Sequence, residues 1–281
     1  MLEYGKWAIV TGATSGIGQA YAFEFASSGM NICIISRSES KLQETKRSIL
    51  EKYPNVNIDY IVRDFSDSNE NSVRVFEKTL HSNLEKYSSD GGIGVLVNAV
   101  GMSNDIPARL HETDKESIRQ MLYINNNGTA LMTHCVLPHM VERKSGAIIV
   151  VSSGSGRNHA TPMLATYSAT KAFGSQLARS MFYEYKEHGI DCLSITPYYF
   201  ISGMFRRKKS SFFLPYPETI VKRSLKVLGH VAEDWGHFPH GINTFVIKIA
   251  FGDPGTMLMD IMSKNRQRIL DKMAAKKNKK T

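Results

Sequence analysis

The chain has 281 residues, of which 42% are hydrophobic and 22% charged, so it can bury a large core and has the composition of an ordinary soluble globular protein. Its net charge of +9 is largely local, in FRRKK at 205–209 and KKNKK at 276–280. No nucleic-acid motif accompanies that charge, so no nucleic-acid partner is expected, whereas phosphate-bearing ligands and anionic membrane surfaces suit it. No window reaches the ~20 apolar residues of a membrane span.

In chain order, the apolar runs WAIV (7–10), NICIIS (31–36), IDYIV (58–62), VLVN (95–98), AIIVVSS (147–153) and DCLSIT (191–196) read as strands. They are rich in Ile and Val and barely alternate, as strands do when both faces are covered. Between them, helix-length segments fall at 17–28, 39–53, 68–88, 114–143 and 165–188. This alternation predicts βαβ units around one parallel sheet with helices on both faces. Residues 198–217 read as irregular, and Pro217 starts a helix over 218–233. No repeat or Pro/Gly/Ser linker divides the chain, which predicts one domain over 1–270 and a flexible basic tail over 271–281. Cys33, Cys135 and Cys192 are odd in number and sit in apolar runs, which predicts core thiols in a reducing compartment. No metal site is expected.

The first strand runs into TGATSGIG at 11–18. Glycine there permits a tight turn and close approach of backbone to a ligand, and the following helix N-terminus attracts a pyrophosphate. Gly12, Thr14, Ser15, Gly16, Ile17 and Gly18 are therefore the candidate cofactor cradle. Further on, YSATK places Tyr167 and Lys171 four apart, on one helix face. A free phenol, with a pKa of about 10, is a poor proton donor at neutral pH, and a fixed positive charge beside it lowers that value. A plain surface pair is the alternative for the pentapeptide alone.

With NAVG at 98–101, these motifs make the chain resemble the short-chain dehydrogenase/reductase family over roughly residues 6–200. The resemblance implies a single Rossmann-like, doubly wound α/β domain that binds a nicotinamide cofactor. It implies that Tyr167 is the general acid, that Lys171 holds the nicotinamide ribose and lowers the Tyr167 pKa, and that Ser153 positions the reacting carbonyl. The interval from Ser153 to Tyr167 is fourteen positions, one longer than is usual in the family, and Ser155 is the fallback. Asn125 matches the family asparagine that supports a water beside the lysine. Asp64 matches the residue that meets the adenine, Asn98 one that ties the central strands, and Pro197 a further cofactor contact. At the end of the second strand stand Ser36 and Arg37 rather than a carboxylate, which favours NADP(H), because arginine pairs with a 2′-phosphate.

ITPYYFISGM (195–204), MVERKSGAII (140–149), SSGSG (152–156) and WGHFPH (235–240) look like the subgroup of 17β-hydroxysteroid dehydrogenases and very-long-chain 3-oxoacyl-CoA reductases. That implies a large, apolar, ketone-bearing substrate, with the substrate loop at about 198–217. Arg206, Arg207, Lys208 and Lys209 are candidates for the phosphates of coenzyme A or for an anionic lipid surface. Another carbonyl reductase, or a non-catalytic cofactor-binding protein, are the alternatives. The resemblance further implies a homodimer. The subgroup's N-terminal anchor is missing ahead of the first strand, yet KNKKT at 277–281 is similar to an endoplasmic reticulum retrieval signal. The expected location is the cytosolic face of that membrane, through peripheral contact, or otherwise the cytoplasm.

Overall fold

A computed structural model describes residues 1–157, 160–201, 210–242 and 254–277. The chain runs β1 (Trp7–Thr11), α1 (Gly16–Ser27), β2 (Asn31–Ser36), α2 (Glu39–Lys52), β3 (Ile58–Val62), α3 (Glu70–Ser89) and β4 (Ile93–Asn98). It continues with α4 (Lys115–Leu122), α5 (Gly128–Arg143), β5 (Gly146–Val151), α6 (Ala165–Glu184), β6 (Ile190–Ile195), α7 (Pro217–Val227), β7 (Glu233–Asp234) and α8 (Gly255–Lys277). The strands form one parallel sheet in the order β3-β2-β1-β4-β5-β6-β7. This is the doubly wound α/β fold expected from the sequence.

The strands β1 to β6 each feed two cores, which is why their sequences do not alternate. Ala8 and Val10 of β1 face the core shared with α1 and α7, while Trp7 and Ile9 face the one under α3, α5 and α6. Ile32 and Ile34 in β2 divide from Cys33 and Ile35 in the same way. Cys33 and Cys192 are buried, Cys135 is half-buried, and all three are free thiols.

The order of strands reverses between β1 and β4. Ligands of open α/β sheets bind at such a reversal, beyond the C-terminal ends of the strands. The glycine turn, Asp64, Asn98, Ser153 and Pro197 stand at or just after the C-terminal ends of β1, β3, β4, β5 and β6.

The long helix expected over 114–143 is observed with a π-helical turn inside it at Tyr123–Asn127, a device frequent at functional sites, and two other local readings are corrected. The turn lets the buried Asn125 side chain leave the helix and pair with the loop after β4. The helix beginning at Pro217 ends at Val227, not 233, because Gly229 turns left-handed at φ +81°. The chain is thereby returned to pair β7 with β6, as Ser194↔Glu233 and Ile195↔Asp234. The last helix runs on to Lys277, into the segment read as a flexible tail, and residues 278–281 lie outside the described residues. Among the described residues no helix is long and apolar enough to cross a membrane.

Candidate active site

The glycine turn is built by close backbone approach. Thr11 Oγ1 accepts from the amides of Ala99 (3.1 Å) and Val100 (3.2 Å), docking the end of β1 against the loop after β4. Gly12 has φ +65°, and a Cβ there would lie 2.9 Å from both Ala99 O and Val100 N. A Cβ on Gly18 would lie 2.4 Å from Gly12 O. Between them, α1 begins with Ser15 making no side-chain cap and with no acidic residue in its first turn. Its N–H groups and positive dipole end are left for an anion. Thr14 Oγ1 lies 3.0 Å from Ser36 Oγ, holding the turn to the end of β2, and Ile17 is buried beneath it.

Gly18→Ala is expected to destabilise the fold by about 2–3 kcal/mol, because the clash is with backbone that cannot rotate away. It should also abolish dinucleotide binding. Urea unfolding and a cofactor fluorescence titration check both; an unchanged titration would remove the cradle.

Around this turn, Arg37 is exposed and forms no ion pair among the described residues. Asp64 Oδ1 accepts from Ser66 N (2.9 Å) and Ser66 Oγ (2.7 Å), which fixes the loop after β3. Asn98 is buried and donates to Thr133 Oγ1 at 2.9 Å, tying β4 to α5. Pro197 O accepts from Gly154 N at 2.9 Å, joining the ends of β5 and β6. These residues fit a dinucleotide: a side-chain-free cradle, an uncapped helix end, and a cation at the tip of β2.

The chemical group gathers beside the cradle. Ser153 follows β5 and heads a short 3₁₀ turn (Gly154–Gly156), its Oγ accepting from Ser155 N at 3.2 Å. On α6, Lys171 lies one turn beyond Tyr167. Its buried Nζ donates to Val151 O at 2.9 Å and sits 5.9 Å from the Tyr167 ring centroid. Burial alone pushes the Lys171 ammonium down to about 8. The amine also lies beside Gly101, where a Cβ would come within 3.0 Å of Nζ.

The expected lowering of the Tyr167 pKa by Lys171 does not hold in this structure. Burial holds the phenol above its ordinary value; the neighbouring Ser153 hydroxyl pulls it down, and Tyr199 adds to the rise. The ammonium instead donates to the Val151 carbonyl. Ser153, rather than Ser155, is the serine that approaches the phenol. The longer loop between them includes residues 158–159, outside the described residues.

Asn125 supports this group from behind. Its Oδ1 accepts from Met102 N (2.8 Å), and its Nδ2 donates to Met102 O (2.9 Å) and Thr170 Oγ1 (2.8 Å). Thr170 Oγ1 in turn donates to Tyr167 O at 2.8 Å. The loop after β4 and the Tyr167 helix are thus held in one network. The basic residues Arg206–Lys209 lie outside the described residues.

Two supporting residues carry no motif in the sequence. Arg157 pins the serine turn to the far strands: its Nε lies 2.7 Å from Glu233 Oε2, its Nη1 donates to Thr196 Oγ1 at 3.2 Å, and its guanidinium stacks 3.8 Å over the Trp235 ring. Met163 is buried at φ +63°, a strained setting for a side-chain-bearing residue, and its carbonyl accepts from Ala108 N at 2.9 Å. Neither signal is local in sequence. Among the described residues no group of side chains could hold a metal ion.

The pattern of the short chain dehydrogenase family matches residues 6–211. The chain is 37% identical over 278 residues to the very-long-chain 3-oxoacyl-CoA reductase of Anas platyrhynchos, covering 98% of this chain and 84% of that protein. It is also 37% identical over 244 residues to the inactive hydroxysteroid dehydrogenase-like protein 1 of Homo sapiens, covering 85% of this chain and 71% of that protein. A solved structure reported for 7beta-hydroxysteroid dehydrogenase stereoselectivity matches with a TM-score of 0.78 at 21% identity, over 93% of this chain and 98% of that one, a likeness of fold. The family pattern spans most of the sheet, the relatives extend it to nearly the whole chain, and the glycine turn and the Tyr167–Lys171 helix both reach the loop after β4: the chain belongs to the short-chain dehydrogenase family of oxidoreductases.

Proposed function

We propose that the protein is an NADPH-dependent reductase of a ketone on a large apolar lipid, with a long-chain 3-oxoacyl-CoA as the substrate reduced to its 3-hydroxyacyl-CoA. The observation that carries this reading is the convergence of Ser153, Tyr167 and Lys171 beside the glycine turn. The Anas platyrhynchos relative, named for that reaction and matched along almost the whole chain, supports the substrate class.

When bound, the reduced nicotinamide supplies the hydride. The chain's own residues supply the rest. The cradle at Gly12–Gly18 and the α1 N-terminus take the pyrophosphate, and Asp64, Asn98 and Pro197 shape the remainder of the site. Ser153 donates a hydrogen bond to the ketone oxygen and stabilises the charge that develops there. Tyr167 delivers its proton to that oxygen as general acid. Burial keeps this phenol protonated at neutral pH, the state a donor requires. Lys171, charged below about pH 8, holds the nicotinamide ribose and offsets the alkoxide's charge. Asn125 fixes the loop and helix on which these groups depend.

Arg37 supports NADPH over NADH, being exposed, without an ion pair among the described residues and next after the end of β2, since an arginine there can pair with a 2′-phosphate. A homodimer is part of the same reading, supported by Leu122, Leu131 and Phe173, which α4, α5 and α6 leave exposed. The proposed substrate class supports a location at the cytosolic face of the endoplasmic reticulum. A non-catalytic role, as the human relative's name suggests for that protein, is disfavoured by the complete Ser153, Tyr167 and Lys171 group.

Following cofactor oxidation against 3-oxoacyl-CoA chain lengths, 17-keto-steroids and retinal tests the proposal. The expected result is preference for long 3-oxoacyl-CoA with NADPH favoured over NADH by at least ~10-fold, a preference that Arg37→Ala largely erases, since a bidentate charged contact is worth about 1.5–3 kcal/mol. Preference for a keto-steroid would replace the substrate, and no reduction of any ketone would remove the proposal.

A further inference from the structure

The chain before α7 makes a two-residue hairpin turn. Ser211 N donates to Leu214 O at 3.1 Å and Leu214 N to Ser211 O at 3.0 Å, which leaves Phe212 and Phe213 at the tip. Both rings face solvent, at 65% and 53% exposure, and they pack edge to face with centroids 5.0 Å apart. The flanking Leu214, Pro215 and Pro217 are buried, so the turn is rooted in the protein while its tip is not.

Two histidines hold the tip outward. His237 Nε2 lies 2.9 Å from Phe212 O, and His240 Nε2 lies 3.2 Å from Phe213 O. His240 Nδ1 accepts from Tyr198 N at 3.3 Å, so its proton is on Nε2 and is donated to the Phe213 carbonyl. Phe238, between these histidines in sequence, is itself 64% exposed, and Tyr216, just beyond the turn, is exposed as well. Burial of these rings elsewhere would be favourable, and a turn clamped by two imidazoles keeps them out.

Charge indicates what covers them. The sequence holds no Asp or Glu over 198–217 or over 235–242, the segments that carry the exposed rings. Four cationic residues, Arg206 to Lys209, precede the tip in sequence. Aromatic rings flanked by cations and free of carboxylates suit the headgroup region of an anionic bilayer.

We propose that the Phe212–Phe213 turn, with Phe238, is a docking point by which the protein sits on an anionic lipid surface. The proposal does not depend on which ketone is reduced, since it concerns binding to vesicles without substrate.

The test is co-flotation of the full chain with phosphatidylcholine vesicles containing about one third phosphatidylserine. Wild type is compared with Phe212→Ser/Phe213→Ser, and anionic with neutral vesicles. The double variant is expected to lose at least ~10-fold in partitioning, and wild type to prefer the anionic vesicles. The variant's NADPH binding and melting temperature should be unchanged, which shows that it is folded. The proposal is overturned if wild type does not float, if the variant floats equally, or if neutral vesicles serve as well. A variant that changes the oligomeric mass by light scattering would instead assign the turn to a second copy of the chain, and also overturn it.

Discussion

Replacing Tyr167 by Phe is expected to lower the rate of ketone reduction by about 10³-fold, in the middle of what a general acid contributes, while leaving NADPH affinity within ~2-fold. The substitution removes one oxygen and keeps the ring. The α6 backbone stays tied through Thr170 Oγ1 to Tyr167 O and to Asn125, so the site keeps its shape. What is lost is the proton that must reach the ketone oxygen. Ser153 is a poor substitute, because an alkyl hydroxyl is a far weaker acid than a phenol. Single-turnover rates and fluorescence titration of NADPH separate chemistry from binding. A variant that keeps more than a tenth of the rate would show that the proton comes from elsewhere.

Replacing Lys171 by Met is expected to stabilise the free protein at pH 7 and to reduce turnover at least ~100-fold. Burial brings the ammonium from its ordinary 10.5 to about 8, so the folded protein carries a charged group in an unfavourable setting at neutral pH. That difference represents about 3 kcal/mol, and loss of the charged bond to Val151 O offsets about 2, leaving a gain of ~1 kcal/mol. The sign follows from proton counting. Between about 8 and 10.5 the unfolded chain binds more protons at this residue than the folded one, so wild-type stability rises with pH across that window. The variant's advantage is therefore full below pH 8 and gone above 10.5. Urea unfolding at pH 7 and pH 10 measures it. A variant less stable than wild type at pH 7 would mean that Lys171 is a structural residue rather than one kept for chemistry at the expense of stability.

The fold was legible because the signals that determine it are local and continuous. β1, β2 and β4 are apolar on both faces, so their runs do not alternate, and only a parallel sheet covered on both sides accommodates that. The glycine turn was legible for a similar reason, since Gly12 and Gly18 exclude a side chain by contacts with backbone. The π-helical turn between α4 and α5 was not, because helical periodicity runs through it and only the bonds of Asn125 to Met102 mark it. β7 escaped notice because two residues, Glu233 and Asp234, carry no pattern, and polar ones at that. The direction of the Tyr167 pKa was misjudged from YSATK because spacing reports proximity to Lys171 but not how deeply both groups are packed. Arg157 and His240 were invisible for a related reason: their partners, Glu233 and Trp235 for one, Phe213 and Tyr198 for the other, lie tens of positions away.

The claim on which the account rests is that a buried, protonated Tyr167 and a charged Lys171 act together on the ketone. Its most direct measurement is kcat/KM for NADPH in the reducing direction against pH, which reports the groups of the free enzyme. The account predicts a plateau on the acid side and a fall with a midpoint near pH 8, as Lys171 loses its charge, with that inflection absent in Lys171→Met. A rate that instead climbs with pH through 9 and 10 would mean that the reaction uses a phenolate, and would contradict the assignment of Tyr167 as proton donor.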